Sequence, residues 1–285
     1  MFAADSDAVG AFRRIFAEPL GGLGIVLVVA MIAGAVFADL LAGADPFRIS
    51  PRDRFLDPSL DHLLGTDHLG RDLFSRVLHG GRIALSVALF STAASLAIGI
   101  VLGLIAGFGP RWLDNILILL FDAIKSFPTV MLALALVTLF GPSLTAVIVV
   151  VVLVNVPGYA RIIRTQTLAL KSAEFVAAAE SMGAGTARVL RVHILPNVIG
   201  PLLILASMDI PVVIAIEAGM SFLGLGVRPP TPSWGAILND GFTAIRDTPW
   251  IAVAGGLPII LTTLGFTFLG ETLRDVFDPR LRGRG

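Results

Sequence analysis

Four ionisable side chains, Asp122, Lys125, Asp209 and Glu217, sit inside long runs of apolar residues. At the centre of a lipid-embedded helix each such charge costs roughly 2.5–3.5 kcal/mol on an insertion scale. Such groups therefore face a bundle interior, a partner charge or a wet cavity. Asp122 and Lys125 stand on one helical face, where they could neutralise each other or line a polar path. Asp209 and Glu217 flank Pro211 about two turns apart, on roughly the same side of a helix. The chemistry open to these four is the lining or gating of a route through the apolar layer.

A second pattern lies in a polar stretch between two apolar runs. Glu174-Phe175-Val176-Ala177-Ala178-Ala179-Glu180-Ser181-Met182-Gly183-Ala184 continues through Arg188 and Arg191 to His193-Ile194-Leu195-Pro196-Asn197. Ser172 can N-cap a helix with Glu174 in its first turn. Phe175, Ala178, Ala179 and Met182 recur at i, i+3, i+4 and i+7, which makes one face. Gly183 suits the left-handed position that ends a helix. Thr186 can cap the next helix, on which Val189, Leu190 and His193 recur. A short helix with a small-residue face and one aromatic can seat in a groove on a partner, or pack on its own bundle alone.

Other chemistries find little support. The chain has no cysteine, which excludes disulfides, thiolate metal sites and cysteine nucleophiles. His62, His68, His79 and His193 are too scattered to suggest a metal site from spacing. A P-loop needs Gly-Lys followed by Ser or Thr, yet Lys125 follows Ile124 and Lys171 follows Leu170. No Gly-x-Ser-x-Gly or His-Glu-x-x-His motif occurs. The zero net charge gives nucleic-acid binding no electrostatic support.

The elements that must position these residues follow from composition. Charged residues make up 15% of the chain, against roughly 25% in soluble domains, so the chain reads as membrane-embedded. Six apolar segments can be counted, at about 20–41, 83–108, 113–140, 143–159, 194–223 and 249–270. Each approaches or exceeds the length that crosses a hydrocarbon core of about 30 Å. In lipid the backbone must bond to itself, so these are helices and the fold class is an all-α membrane bundle. Arg13-Arg14 ahead of the first run imitates a signal peptide, but about 20 uncharged residues suit an uncleaved span better. With both ends inside, the cytoplasmic segments hold about 12 of the 21 basic residues, a moderate inward bias. Ser95, Gly99, Gly103 and Gly107 form a small-residue stripe that lets another helix approach closely.

The polar stretch resembles the coupling loop, or EAA loop, of ABC importer permeases. That pattern reads Glu-Ala-Ala, three residues, Gly, nine residues, Ile, one residue, Leu-Pro. This chain offers Ala178-Ala179, Gly183 and Leu195-Pro196, with Ala177 in place of the Glu and His193 in place of the Ile. Those departures fit the peptide- and nickel-importer permeases. Leu64-Gly65-Thr66-Asp67, with Gly70-Arg71-Asp72, is similar to a signature of the same subfamily. So are Pro157-Gly158-Tyr159-Ala160-Arg161, Ser221-Phe222-Leu223-Gly224, Pro232-Ser233-Trp234-Gly235 and Asp278-Pro279-Arg280. The whole resembles the second permease subunit of a dipeptide or oligopeptide importer.

The resemblance implies a type I ABC importer permease fold with six transmembrane helices and a cytoplasmic coupling helix. It implies a cytoplasmic segment 1–19, a first span 20–41, an outer loop 42–82 with an amphipathic helix, a core 83–272 containing the loop 165–195, and a cytoplasmic tail 273–285. Coupling to an ATPase would fall on Glu174, Phe175, Ala178, Ala179, Met182, Gly183, Ala184 and Arg188. Asp209, Glu217, Asp122 and Lys125 would line the path or its gate, with Glu217 matching the subfamily's Glu-Ala-x-x-Ser-Phe-Leu-Gly. The expected partners are a homologous permease, two ABC ATPase subunits, an extracytoplasmic substrate-binding protein and the bilayer of a bacterial cytoplasmic membrane. The chain itself would bind no cofactor, with ATP and Mg held by the ATPases. Nickel or another small solute is the alternative cargo, and a gradient-driven carrier the alternative mechanism.

In the outer loop, Asp67 can cap a helix beginning near Leu69 that lies at the interface, with Arg71 and Asp72 paired locally. Trp234 and Trp250 can anchor at the headgroups.

Overall fold

A computed structural model describes residues 18–277. Arg13-Arg14 and the Asp278-Pro279-Arg280 motif lie outside the described residues. Long apolar helices dominate: α1 (Pro19–Val36), α2 (Ala38–Leu41), α3 (Leu73–Phe108), α4 (Arg111–Ser126), α5 (Thr129–Phe140) and α6 (Leu144–Lys171). They are followed by α7 (Glu174–Ser181), α8 (Thr186–Arg188), α9 (Leu195–Phe222), α10 (Trp234–Thr243) and α11 (Trp250–Phe277). The described residues hold no strand, and each long helix satisfies its own backbone, as lipid demands.

Five stretches are long and apolar enough to cross a membrane: α1, α3, α6, the continuous winding Thr186–Phe222, and α11. The third apolar run is not one helix. Pro128 has no N–H to donate to the ladder, and the chain bends by 92° between α4 and α5. The pair still leads from one end of the bundle to the other. α4 starts beside the end of α3 and pairs with the far part of α6 through Asp114 and Arg164. α5 ends near Pro142, whose carbonyl accepts from Arg228 Nε at 3.1 Å, beyond the far end of α9. The described chain therefore starts and finishes toward the end of the bundle that carries α7.

Hydropathy located the apolar runs but not the helix ends. α3 begins at Leu73, where Asp72 caps it by accepting from Ser75 N at 2.7 Å. At 36 residues it is about 54 Å long, well beyond the hydrocarbon layer. The separate amphipathic helix expected near Leu69 is thus the first turns of this rod, and Leu73 and Arg76 are buried rather than set at an interface. α6 likewise continues past Tyr159 to Lys171, because its arginines find carboxylates on α4.

α3 and α6 form the central pair. A Cβ at Gly99 would lie 2.6 Å from Tyr159 Cβ, one at Gly103 2.6 Å from the Ala160 carbonyl oxygen, and one at Gly107 2.7 Å from Thr167 Cβ. The two backbones run too close for any larger residue. One apolar core joins this pair to α9 through Ala84, Val87, Val147, Val150, Val213 and Ile214. A second, nearer α7, gathers Tyr159, Ile163, Val176, Val189, Ile194 and Val198.

Candidate functional site

The loop after α6 turns back on itself through two specific devices. Ser172 Oγ donates to the Ala169 carbonyl at 3.0 Å, so this residue closes α6 instead of capping α7. Gly183 has φ +87°, a left-handed conformation that ends α7 as its residue type demands. Gly185 precedes α8, which makes Thr186 its first residue and not its cap.

α7 carries two faces. Val176 is buried in one apolar cluster with Val189 and Ile194, and Ala179 is buried as well. Phe175, Ala178 and Met182 point away, Met182 being 82% exposed. The single face expected over Phe175, Ala178, Ala179 and Met182 is therefore split, with Ala179 on the inward side. Among alanines the periodicity is weak, and the β-branched Val176 takes the packed position. Glu174, Gly183 and Arg188 are exposed, and Ala184 is half-buried.

The stretch leading out of the loop is wound loosely. Val189–Ile194 forms a π-helix running straight into α9. Pro196 offers no N–H, and its ring would crowd the Val192 carbonyl in a regular α-helix. A wider turn relieves that conflict, and such turns are frequent at functional positions. The Phe175 ring lies 6.3 Å from that of His193 within this turn, joining α7 to it.

The structure separates the four intramembrane ionisable groups. Asp122 accepts from Arg161 Nη2 on α6, not from Lys125. Lys125, one turn from the α4–α5 bend, is exposed and makes no ion pair among the described residues. Glu217 is 1% exposed. Its Oε1 accepts from Ser221 Oγ at 2.7 Å, and its Oε2 has no partner among the described residues. Asp209 is half-buried, with the Tyr159 hydroxyl turned toward it but short of hydrogen-bond geometry.

Two further clusters draw their partners from separate elements. Asp114 on α4 accepts from Arg164 on α6 through both oxygens, at 2.5 and 2.6 Å. At the opposite end of the bundle, Asp67 accepts from Leu69 N at 2.8 Å and from Arg71 Nε at 2.6 Å. Arg71 thus pairs with Asp67, not Asp72, which bonds His62 Nδ1 at 2.9 Å. Arg76 Nε lies 3.5 Å from the same Asp67 carboxylate. Asp240 of α10 closes the cluster, 3.7 Å from Arg71 and 3.9 Å from His68. Burial pushes the Asp240 carboxyl above its ordinary range, against the pull of His68, Arg71 and Arg76. Asp67, His68 and Asp240 bring their ligand-type atoms within 4.8 Å of one another, but the adjoining guanidiniums make this an ion-pair network. Trp234 is no headgroup anchor. It is 1% exposed and donates to the Val77 carbonyl at 2.8 Å. A motif of Asp, Gly, Arg and Asp ahead of a helix was the available signal. Its partner on α10 lies too far along the chain for spacing to reveal.

Residues 99–283 match the family described as binding-protein-dependent transport system inner membrane component. A dipeptide transport system permease protein from Alkalihalophilus pseudofirmus is 36% identical over 272 residues, 95% of this chain and 90% of that protein. A glutathione transport system permease protein from Pectobacterium atrosepticum is 39% identical, with the same shares covered. A di/tripeptide transport system permease protein from Pseudomonas aeruginosa is 37% identical over 278 residues, 95% of this chain and 92% of its own. Among solved structures, an inward-facing MetNI methionine ABC transporter chain superposes with TM-score 0.56 at 18% identity, over 71% of this chain and 97% of that one. The shared fold is that of a type I ABC importer permease.

Proposed function

The chain belongs to the family of binding-protein-dependent transport system inner membrane components, and from that premise we propose that it is a pore-forming permease subunit of an ATP-driven importer of di- and oligopeptides. A homologous permease completes the pore, two ATPase subunits hold ATP and Mg, and an extracytoplasmic binding protein delivers the peptide. The end bearing α7 faces the cytoplasm of a bacterial cell, with both termini on that side. Relatives named for dipeptides, di/tripeptides and glutathione support a peptide cargo over nickel.

One observation carries the coupling role. α7 is a short helix at one end of the bundle, fastened by Val176 and Ala179, with Phe175, Ala178 and Met182 turned outward. An apolar knob of that size fits a groove on a soluble ATPase. Glu174, Gly183, Ala184 and Arg188 frame it. Each nucleotide state of the ATPases must bind the two pore conformations with different affinity for the loop to transmit work. Of the path residues, Asp122 and Lys125 act from an exposed surface and Asp209 from a half-buried one. Glu217 acts from inside the subunit, with its bond to Ser221 lying within α9.

Ala178→Arg and Gly183→Glu test this reading. Both should leave the protein inserted: Ala178 is exposed on the outward side, and Gly183→Glu meets open space but puts a side chain into a left-handed backbone, a strain confined to the turn that ends α7. Uptake of a labelled dipeptide should separate from ATP hydrolysis in the reconstituted transporter. Normal coupled transport by both variants would remove the docking role of α7.

A further inference from the structure

α4 is a membrane helix with little to hold it by packing. Of its 16 residues, Phe121 is the one that is buried, while Trp112, Ile116, Leu119 and Leu120 are exposed. Charges fasten it instead. Asp114 receives both arms of Arg164, and Asp122 receives Arg161, so two carboxylates of α4 meet two arginines one turn apart on α6. Bidentate guanidinium–carboxylate pairs fix orientation as well as distance. Asp122 and Arg161 are 60% and 41% exposed within helices that flank the apolar layer, where an unpaired charge is costly.

The surrounding backbone isolates this clamp. α4 parts from α5 at a 92° bend, so the two do not form one continuous rod. α6 ends at Lys171 and α7 begins at Glu174, so α6 and the outward-facing loop are in near-direct series. Lys171 adds a tie to the end of α3, donating to the Phe108 carbonyl at 3.0 Å and lying 4.7 Å above that ring.

Resting on the function proposed above, we infer that Asp114, Arg164, Asp122 and Arg161 are positioning residues that make α4 travel with α6 and α7. Displacement of α7 by the ATPases passes along α6, crosses the two ion pairs, and swings α4 about its bend with α5. α4 is then the element that alters the mouth of the path at the α7 end. The clamp is electrostatic where other helix contacts are apolar, so neutralising it releases α4 without disturbing the core.

The chain contains no cysteine, which permits paired spin labels. One pair is Leu119→Cys with Leu168→Cys, on exposed faces of α4 and α6, and the other is Leu119→Cys with Leu134→Cys on α5. Distances are read by pulsed electron resonance in the full transporter in liposomes, nucleotide-free and trapped with ATP. The α4–α6 distance should hold constant between states while the α4–α5 distance changes. In Asp114→Asn/Asp122→Asn the α4–α6 distribution should broaden, and uptake should fall ~10-fold with ATP hydrolysis retained, within the span of a coupling interaction. With Asp122 and Arg161 left in place, exchanging the partners, Asp114→Arg with Arg164→Asp, should keep uptake well above that of the neutralised variant. An α4–α6 distance that changes between states in otherwise unaltered protein overturns the inference, and so does full uptake by the neutralised variant. Should neutralisation prevent insertion, the distances in the unneutralised protein decide alone. Absence of ATP-dependent uptake in the unaltered transporter would instead contradict the proposed function.

Discussion

The two ends of this bundle are built on opposite plans. At the α10 end, buried polar groups and close packing reinforce each other. Asp67 is almost wholly buried and satisfied by backbone and guanidinium donors. Trp234 fills the space beside Gly80 and Gly81 of α3 while bonding to Val77. α10 is pressed onto α11 so tightly that a Cβ at Gly241 would lie 2.3 Å from Ala252 N. At the α7 end, α7 is held by Val176 and Ala179, α4 by Phe121 and two ion pairs, and the connection to α9 is a π-turn. Segments with few buried contacts open at low free energy, and moving elements are drawn from them. The contrast places the rigid reference frame at the α10 end and the responsive part at the α7 end.

The largest effect should come from attacking the rigid end. Trp234→Ala removes a fully buried indole and its hydrogen bond to the Val77 carbonyl, at a cost of about 3–5 kcal/mol. Thermal unfolding in detergent should shift strongly downward. Phe175→Ala, the counterpart on the α7 end, should move the midpoint little, since exposed sites generally stay within about 0.5 kcal/mol. Equal shifts for the two variants would erase the distinction between the ends.

A smaller effect is expected where the two plans meet, along the α3–α6 seam. Gly103→Val places atoms on the Ala160 carbonyl and on Ile163, whose Cβ would be 2.7 Å from the new Cβ. Overpacking of this kind costs about 1–3 kcal/mol. Gly158→Ala on α6 meets nothing within 4 Å and should be neutral or slightly stabilising through its helix propensity. If both behave alike in an unfolding assay, the seam is looser than its geometry implies.

The sequence made the apolar runs, the left-handed Gly183 and the small-residue stripe legible, because each depends on residues near one another in the chain. What stayed hidden was pairing across helices. Asp122 and Lys125 are neighbours on one helix, and nothing in their spacing reveals that Arg161 competes successfully for the carboxylate. Apolar windows end at the first charge, so α6 was cut at Tyr159 although its arginines are satisfied from α4. Trp234 read as an interfacial anchor because amphipathic rings favour headgroups. Its burial depends on glycines of α3 far away in the chain. The two-faced character of α7 was obscured for a different reason: three consecutive alanines carry almost no periodic signal, and packing of Val176 settled the matter.

The subtlest expected effect is a pH dependence confined to the rigid end. Burial holds the Asp240 carboxyl above its ordinary range although His68, Arg71 and Arg76 favour its ionised form and Asp67 opposes it. The folded state therefore keeps this proton at pH values where the unfolded chain has released it. Where the folded state binds more protons, stability declines as pH rises. The contribution is fully present below the ordinary carboxylate value, diminishes as pH climbs to the raised value, and is flat beyond it. Asp240→Asn carries no proton to lose, so its unfolding midpoint should drop less than that of the unaltered protein over this acidic-to-neutral interval. An unchanged slope in Asp240→Asn would mean that the α10 end accommodates the charged carboxylate as readily as water does, and that its ion pairs, not its burial, set the behaviour of this end.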